Sequence, residues 1–185
     1  NIQMSLDLSL EDAVFGKNIE ITLPSTRKKV SVNIPPGVGT GNKIRLSGEG
    51  EQSQYGGENG DLFIVVNVLG HDFFEREANH LYCEIPLRVD QAVLGDEIEV
   101  PTLTKKVLLK IPPETQTGKV FKLRDLGAGS LHGSSKGDLF IRVVVETPSK
   151  ITADQKKSIA NAFSGLEKNF SESKKFTDKL NKKFK

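Results

Sequence analysis

The sequence contains one cysteine, no tryptophan and no long apolar run. Cys83 has no partner for an internal disulfide, and its place in an alternating strand pattern predicts a buried structural thiol. No apolar stretch approaches the roughly 20 residues of a membrane-spanning helix, so we expect no membrane partner. The net charge of +2 is too small for the basic surface that nucleic-acid-binding proteins usually carry. These absences predict a cytoplasmic protein with no nucleic-acid partner.

The sequence also lacks the patterns of metal and nucleotide sites. His71, His80 and His132 do not stand at metal-ligand spacings, and a lone cysteine does not support a zinc site. Gly37, Gly39 and Gly41 join two predicted strands, whereas nucleotide-binding glycine loops lead from a strand into a helix. We therefore expect no metal and no cofactor.

Asp61 and Asp138 are the residues that most suggest catalysis, because paired carboxylates serve many hydrolases. Both follow a glycine at a predicted strand start, where aspartate commonly caps a turn. A repeated structural role explains the repeated position better than catalysis does. We predict that the protein is not an enzyme, with a hydrolase using either aspartate as an alternative.

One unit of sequence is present twice. Ile34-Pro-Pro and Ile111-Pro-Pro lie 111 − 34 = 77 positions apart, and the same offset relates two Gly-Asp-Leu-Phe-Ile segments, 60–64 and 137–141. Upstream of residues 24–29 the offset is 79, which indicates a longer turn in the first copy. A period of this length suggests two sister domains of ordinary size.

Alternating apolar and polar residues predict strands through both copies, and short helical turns end at Gly16 and Gly95. The last part of the chain changes character, with a capping box that begins at Thr152 and apolar residues at helical spacing through 170. The predicted fold is mainly β, with two tandem β-sandwich-like repeat domains and a short C-terminal helical segment. The predicted domain bounds are 1–76, 77–150 and 151–185.

Strand 18–23 of the first copy raises the question of an exposed sheet edge. Its apolar residues and their neighbours are candidates for an ordinary core. The other interpretation is that this strand lies at a sheet edge beside a pocket, where an extended peptide can add as a further strand. Residue patterns alone leave both interpretations open.

The chain resembles the C-terminal region of DnaJ-type co-chaperones over nearly its whole length. The matching segments are 34–50, 60–63, 74–76, 81–86, 95–103, 114–121 and 143–148. The resemblance implies client-binding β domains and a dimerisation segment, which together form a horseshoe-shaped homodimer. The implied partners are extended apolar segments of unfolded proteins and a heat-shock chaperone of the DnaK type.

Site residues follow from the resemblance by position. The implied peptide-binding pocket of the first domain falls on Leu6, Ile21, Leu23, Val30 and Phe74. The implied dimerisation residues are Ile159, Phe163, Leu166 and Phe170, followed by the segment from Phe176. A carbohydrate- or nucleic-acid-binding β module is the alternative, although such a module needs surface aromatics and, for nucleic acid, a basic groove.

Two family features are missing from this sequence. The histidine-proline-aspartate motif that stimulates the partner ATPase is absent, so we expect this chain alone to bind clients without activating the partner. The fourfold Cys-x-x-Cys-x-Gly-x-Gly zinc module is also absent, and its place in the first domain corresponds to the short turn 24–29. Two alternatives account for this absence: the chain belongs to a class without the module, or the module has been removed from it.

The two copies differ at the implied pocket. Leu23 corresponds to Thr102, and Thr22 corresponds to Pro101. Proline withholds a backbone N–H from a strand, which weakens an edge as a docking site for a peptide. We therefore predict that the first copy is the principal peptide site.

Overall fold

The computed structural model describes residues 1–23, 27–51, 57, 59–131, 133 and 135–184. His132 and the start of the predicted turn at 24–29 lie outside these residues. The chain divides into two compact units, Asn1–Glu146 and Thr147–Lys185. The first unit holds the β structure and the second holds the C-terminal helices.

The described strands are β1 (Ile2–Leu8), β2 (Lys17–Thr22), β3 (Lys29–Ile34), β4 (Lys43–Leu46), β5 (Leu62–Val68), β6 (Glu75–Glu77), β7 (His80–Arg88), β8 (Asp96–Pro101), β9 (Lys106–Ile111), β10 (Val120–Leu123) and β11 (Leu139–Glu146). The described helices are α1 (Leu10–Phe15), α2 (Val89–Leu94), α3 (Ala153–Phe163) and α4 (Ser171–Lys183), with a 3-10 turn at Glu167–Asn169. Strand accounts for 39% and helix for 23% of the structure, so the predicted fold class is confirmed.

The two repeats share one topology. In the first, β1 pairs with β5 in parallel and β5 pairs with β4 antiparallel, while β2 and β3 form a separate hairpin. In the second, β7, β11 and β10 repeat this order and β8 and β9 form the hairpin. The registers also repeat, since Ile2 lies opposite Leu62 and Leu81 lies opposite Leu139.

Each repeat contributes a separate apolar core. In the first, the hairpin and the three-stranded sheet bury one cluster that includes Leu23, Ile34 and Ile64. In the second, the cluster includes Leu81, Ile111 and Ile141. Buried and exposed side chains alternate along these strands, because successive side chains of a strand point to opposite faces. This alternation explains the apolar–polar pattern of the sequence.

Helix α1 contributes to both cores. Ser9 caps its N-terminus by accepting a hydrogen bond from the backbone N–H of Asp12. Its Ala13 packs in the cluster of the first repeat, whereas Leu10 and Val14 pack in the cluster of the second. The two repeats are therefore joined by shared apolar contacts as well as by the chain.

Two features differ from the sequence-based expectations. Strand β6 is an additional element, and it pairs antiparallel with β7, so the expected domain boundary at residue 76 falls within a strand of the second sheet. The expectation of one helical stripe through 159–170 is wrong. Helix α3 ends at Phe163, and Gly165 adopts a φ of +83°, in the left-handed region that ends helices.

Arg76 forms hydrogen bonds that link the two repeats. Its guanidinium donates hydrogen bonds to the carbonyl oxygens of Val38 at 2.7 Å, Gly37 at 2.9 Å and Ala78 at 2.8 Å. Burial lowers the pKa of this guanidinium. Gly37 also lets the backbone of residues 129–131 approach closely, because a Cβ there would lie 2.8 Å from the carbonyl oxygen of Gly129.

We expect Arg76→Met to destabilise the first unit. The substitution keeps an aliphatic side chain but leaves the carbonyls of buried Gly37 and Val38 without their donor, which costs roughly 1–3 kcal/mol. Urea unfolding followed by circular dichroism measures the change. Arg142→Met is the matched control, since Arg142 is exposed and lies 3.9 Å from Glu84. Equal unfolding midpoints for the two variants would show that the hydrogen bonds of Arg76 do not stabilise the first unit.

Candidate functional site

The outer edge of β2 is the candidate peptide-binding site. Strand β2 pairs with β3, and within the described ranges no strand pairs with its other edge. The N–H of Leu23 donates to the carbonyl of Lys28 at 2.9 Å, so the backbone N–H and C=O of Leu23 point towards β3. These groups alternate in direction along an antiparallel strand. The N–H and C=O groups of Asn18, Glu20 and Thr22 therefore point to the open edge.

Four of the five residues implied for the pocket lie in the first repeat. Ile21 and Leu23 are buried in its core, with exposures of 6% and 2%. Leu6 and Val30 are half-buried and pack against the same cluster. Ile21 and Val30 lie directly opposite each other in the hairpin. Four of the implied residues therefore share one apolar cluster, in which Leu6 and Val30 are half-buried.

Phe74 lies elsewhere. It is 4% exposed and packs in the cluster of the second repeat, beside the ring of His71 at a centroid distance of 5.0 Å. The Nδ1 atom of His71 accepts from the backbone N–H groups of Phe73 and Phe74, and its Nε2 lies 3.1 Å from a carboxylate oxygen of Glu11. This ring therefore fixes the start of the second repeat.

The equivalent edge in the second repeat carries a proline. The N–H of Thr102 donates to the carbonyl of Lys105 at 2.8 Å, matching the bond of Leu23 to Lys28. Pro101 therefore occupies an outward-facing position, as Thr22 does, and lies opposite Lys106 in the same register. The open edge of β8 lacks the N–H donor that β2 presents there.

A shallow cleft of about 460 Å³ lies beside the second hairpin. Its lining includes Phe73, which is 61% exposed, together with Val100 and Leu103. The second repeat therefore has an apolar surface next to its proline-blocked edge. Peptide binding there would depend on side-chain contacts more than on strand addition.

The C-terminal unit buries none of its apolar side chains. Ile159 and Phe163 lie one helical turn apart on α3, and each is 38% exposed. Leu166 and Phe170 lie outside the α-helices, with exposures of 39% and 48%, and the rings of Phe163 and Phe170 are 6.3 Å apart. All four residues implied for dimerisation are thus accessible in the single chain.

Asp61 and Asp138 hold equivalent loops. Asp61 accepts hydrogen bonds from the backbone N–H of Gly48 at 3.2 Å and from Arg45 Nε at 2.8 Å. Asp138 accepts from the backbone N–H of Asp125 at 3.1 Å and pairs with Lys122 Nζ at 2.8 Å. Each carboxylate therefore satisfies a loop donor and a cation, which is a structural role. The bonded N–H lies in the preceding loop and not in the local turn that the sequence suggested.

Cys83 is buried and unpaired, as expected, and burial raises the pKa of its thiol. The described part of the chain contains no group of three or more His, Cys, Asp or Glu side chains that could hold a metal ion. It also contains no helix that is long and apolar enough to cross a membrane.

The family model described as "DnaJ C terminal domain" matches residues 2–148. The chain belongs to this family. The resemblance inferred from its motifs is therefore confirmed, and residues 2–148 form a DnaJ-type co-chaperone domain. The DnaJ C-terminal domain family is a client-binding family of chaperones and not a family of enzymes.

Sequence reasoning missed two features of this DnaJ C-terminal domain. Arg76 was visible only as part of a motif, because its partners lie almost 40 residues away at Gly37 and Val38. Tyr82 and Phe140 stack on the outer face of the second sheet, at a centroid distance of 5.3 Å. Strand alternation places each on an outward face, but their contact depends on the pairing of β7 with β11.

We expect Asp138→Asn to reduce the acid sensitivity of folding. The hydrogen bond from Lys122 lowers the pKa of Asp138 below its ordinary value of 3.8. The carboxylate therefore stabilises the fold fully above that value, and this contribution is lost as the pH falls through the lower folded value. The variant should be less stable than the parent at neutral pH, and the difference should shrink in strong acid.

Urea midpoints measured from neutral pH down to strong acid test this expectation. Glu97→Gln, at an exposed position of β8, is the matched control for the removal of a surface carboxylate. A constant gap between Asp138→Asn and the parent at every pH would contradict the proposed cause. Loss of a hydrolytic activity with an intact fold would instead support the catalytic alternative.

Proposed function

We propose that the chain is the client-binding and dimerisation region of a co-chaperone. It binds extended apolar segments of unfolded proteins by strand addition to β2, and the clients pass to a DnaK-type heat-shock chaperone. The observation that carries this proposal is the open edge of β2, a strand whose Ile21 and Leu23 share one apolar cluster with the half-buried Leu6 and Val30. Backbone groups of the edge supply affinity, and the apolar side chains select apolar clients.

The proposed domains are a first β client-binding domain at 1–76, a second β domain at 77–150 and a C-terminal helical dimerisation segment at 151–185. The repeated topology supports two sister domains, and the separate compact unit beginning at Thr147 supports a distinct C-terminal segment. We place the protein in the cytoplasm, where a single buried thiol is stable without a disulfide.

The first repeat is the proposed principal peptide site. A peptide strand that adds to β2 meets the N–H of Thr22, whereas the same strand on β8 meets the ring of Pro101. The core position next to this edge is also larger and apolar in the first repeat, where Leu23 stands in place of Thr102. Both differences favour β2 as the docking edge.

Thr22→Pro is expected to weaken binding of an extended apolar peptide. Proline removes one outward N–H and so costs about fivefold in affinity for one net hydrogen bond, with more for its steric bulk. The hairpin should survive, since Pro101 occupies the equivalent position in an intact register. Fluorescence anisotropy with a labelled apolar peptide measures the affinity.

Two matched variants sharpen this test. Thr22→Ala removes the side chain but keeps the N–H, so its affinity should stay near that of the parent. Pro101→Thr restores the donor in the second repeat and should strengthen binding there. Charged substitutions at Leu23 are less informative, because Leu23 is 2% exposed and such a change disrupts the core. Peptide-induced amide shifts confined to residues 97–111 would show that the second repeat is the main site.

The homodimer is proposed to form through the C-terminal unit. Ile159 and Phe163 on α3, with Leu166 and Phe170 beyond it, expose apolar surface that a second copy can cover. Short helices are marginal in water without such a partner. A dimer also joins two client sites, which raises the effective concentration for a client that reaches both.

Ile159→Asp combined with Phe163→Asp is expected to produce monomers. Burying two carboxylates at an interface is costly, while both positions are exposed in the single chain and their change should leave its fold intact. Sedimentation equilibrium gives the mass of the variant. Its suppression of client aggregation should be weaker than that of the dimeric parent. Asn161→Asp adds a charge to the same helix as a control. A stable dimer of the double variant would rule out this interface.

A further inference from the structure

The outer face of the second sheet carries a row of side chains that crosses all four strands. Glu75 of β6 lies opposite Tyr82 of β7, Tyr82 lies opposite Phe140 of β11, and Phe140 lies opposite Lys122 of β10. Residues directly opposite each other in paired strands project from the same face. An acid, two aromatic rings and a lysine therefore stand side by side.

The two rings form a rigid platform. Tyr82 and Phe140 are stacked with an interplanar angle of 15°, and Lys122 Nζ lies 5.7 Å from the centre of the Phe140 ring. Tyr82 is 38% exposed, and Val120 and Val144 on the same sheet are 48% and 38% exposed. Aromatic side chains with few rotatable bonds lose little entropy on binding, which suits them to docking surfaces.

A cleft of about 730 Å³ adjoins the platform. Its acidic lining residues are Asp72, Glu75, Glu77 and Glu84. Its two arginines are already engaged, since Arg76 binds backbone carbonyls and Arg142 lies 3.9 Å from Glu84. The lining therefore combines exposed aromatic surface with an excess of negative charge, which disfavours nucleic acid and favours cationic side chains.

The first repeat shares only part of this surface, since Phe63 and Arg45 correspond to Phe140 and Lys122. Among the described residues its sheet has no counterpart of β6, and Gln3 stands where the second repeat has Tyr82. Lys43 likewise corresponds to Val120, and Asn67 corresponds to Val144. The backbone topology is the same in both repeats, so the aromatic platform belongs to the second sheet and does not follow from the fold.

We propose that this face of the second sheet binds a polypeptide segment in which apolar side chains alternate with arginine or lysine. The apolar side chains pack on Tyr82, Phe140 and Val120, and the cations pair with Glu75 and Glu77. Exposed platforms with a charged rim give specificity through such complementarity. The proposal rests on polypeptide binding by this chain, but it is independent of strand addition to β2.

The probe is a labelled peptide in which phenylalanine alternates with arginine, and its counterpart carries glutamate in place of arginine. We expect Tyr82→Gln with Val120→Lys, which installs the residues of the first repeat, to weaken the arginine peptide about tenfold or more. Both positions are exposed, so the core remains intact. The matched control is Gln3→Ala with Lys43→Ala on the first sheet, and it should leave the affinity unchanged.

A second variant isolates the charge. Glu75→Gln with Glu77→Gln keeps the shape of the face, and it should weaken the arginine peptide while reducing the salt dependence of its binding. The glutamate peptide should bind weakly to every variant. Unchanged affinity of the arginine peptide in both the aromatic and the charge variants would overturn the proposal, as would equally tight binding of the glutamate peptide.

The variant Thr22→Pro distinguishes peptide binding on this face of the second sheet from peptide binding at the edge of β2. If Thr22→Pro weakens an uncharged apolar peptide but not the arginine peptide, two independent sites are present, as proposed. If it abolishes binding of both peptides, β2 is the sole site and the second surface is refuted. A fall in self-association of the Tyr82→Gln variant, with peptide affinity unchanged, would identify a second copy of the chain as the occupant and refute the proposal equally.

Discussion

The parallel pairing of the first and last strands of each repeat is the constraint on which the architecture depends. Strand β1 pairs with β5, and β7 pairs with β11, so each repeat closes on itself. The hairpin between these strands does not join the sheet, and it packs over the shared apolar cluster as a separate two-stranded layer. An open hairpin edge is therefore a consequence of the topology and recurs in both repeats. What a given edge can bind is decided by the few residues that face outward along it.

Repetition made most of this fold predictable from the sequence. The offsets of 77 and 79 residues recur as equivalent strand registers. Strands β3 and β9, which end at Ile34 and Ile111, show the same alternation of buried and exposed positions. Strand β6 was not predictable, since Glu-Arg-Glu shows no apolar alternation and owes its place to pairing with β7. The same pairing explains Phe74, which precedes β6 and packs with the second core.

The candidate site was predictable in part for a similar reason. Ile21, Leu23 and Val30 could be grouped from strand alternation, but burial separates the nearly inaccessible Leu23 from the half-buried Val30. In the tail, helical spacing through Gly165 looked continuous, although a left-handed glycine ends the regular helix. Spacing rules assume that one backbone conformation persists, and a single residue with positive φ is enough to invalidate them.

Divergence between the repeats shows how one backbone can carry two different surfaces. A proline at position 101 withdraws a donor from the edge of β8 without changing its register, because outward N–H groups take no part in the hairpin. Substitutions on the outer sheet face are tolerated for the same reason, since Tyr82 contributes to neither the core nor the strand ladder through its side chain. Outward positions are therefore free to vary while the inward ones are fixed by packing. The two repeats can thus acquire different partners without any loss of their common fold.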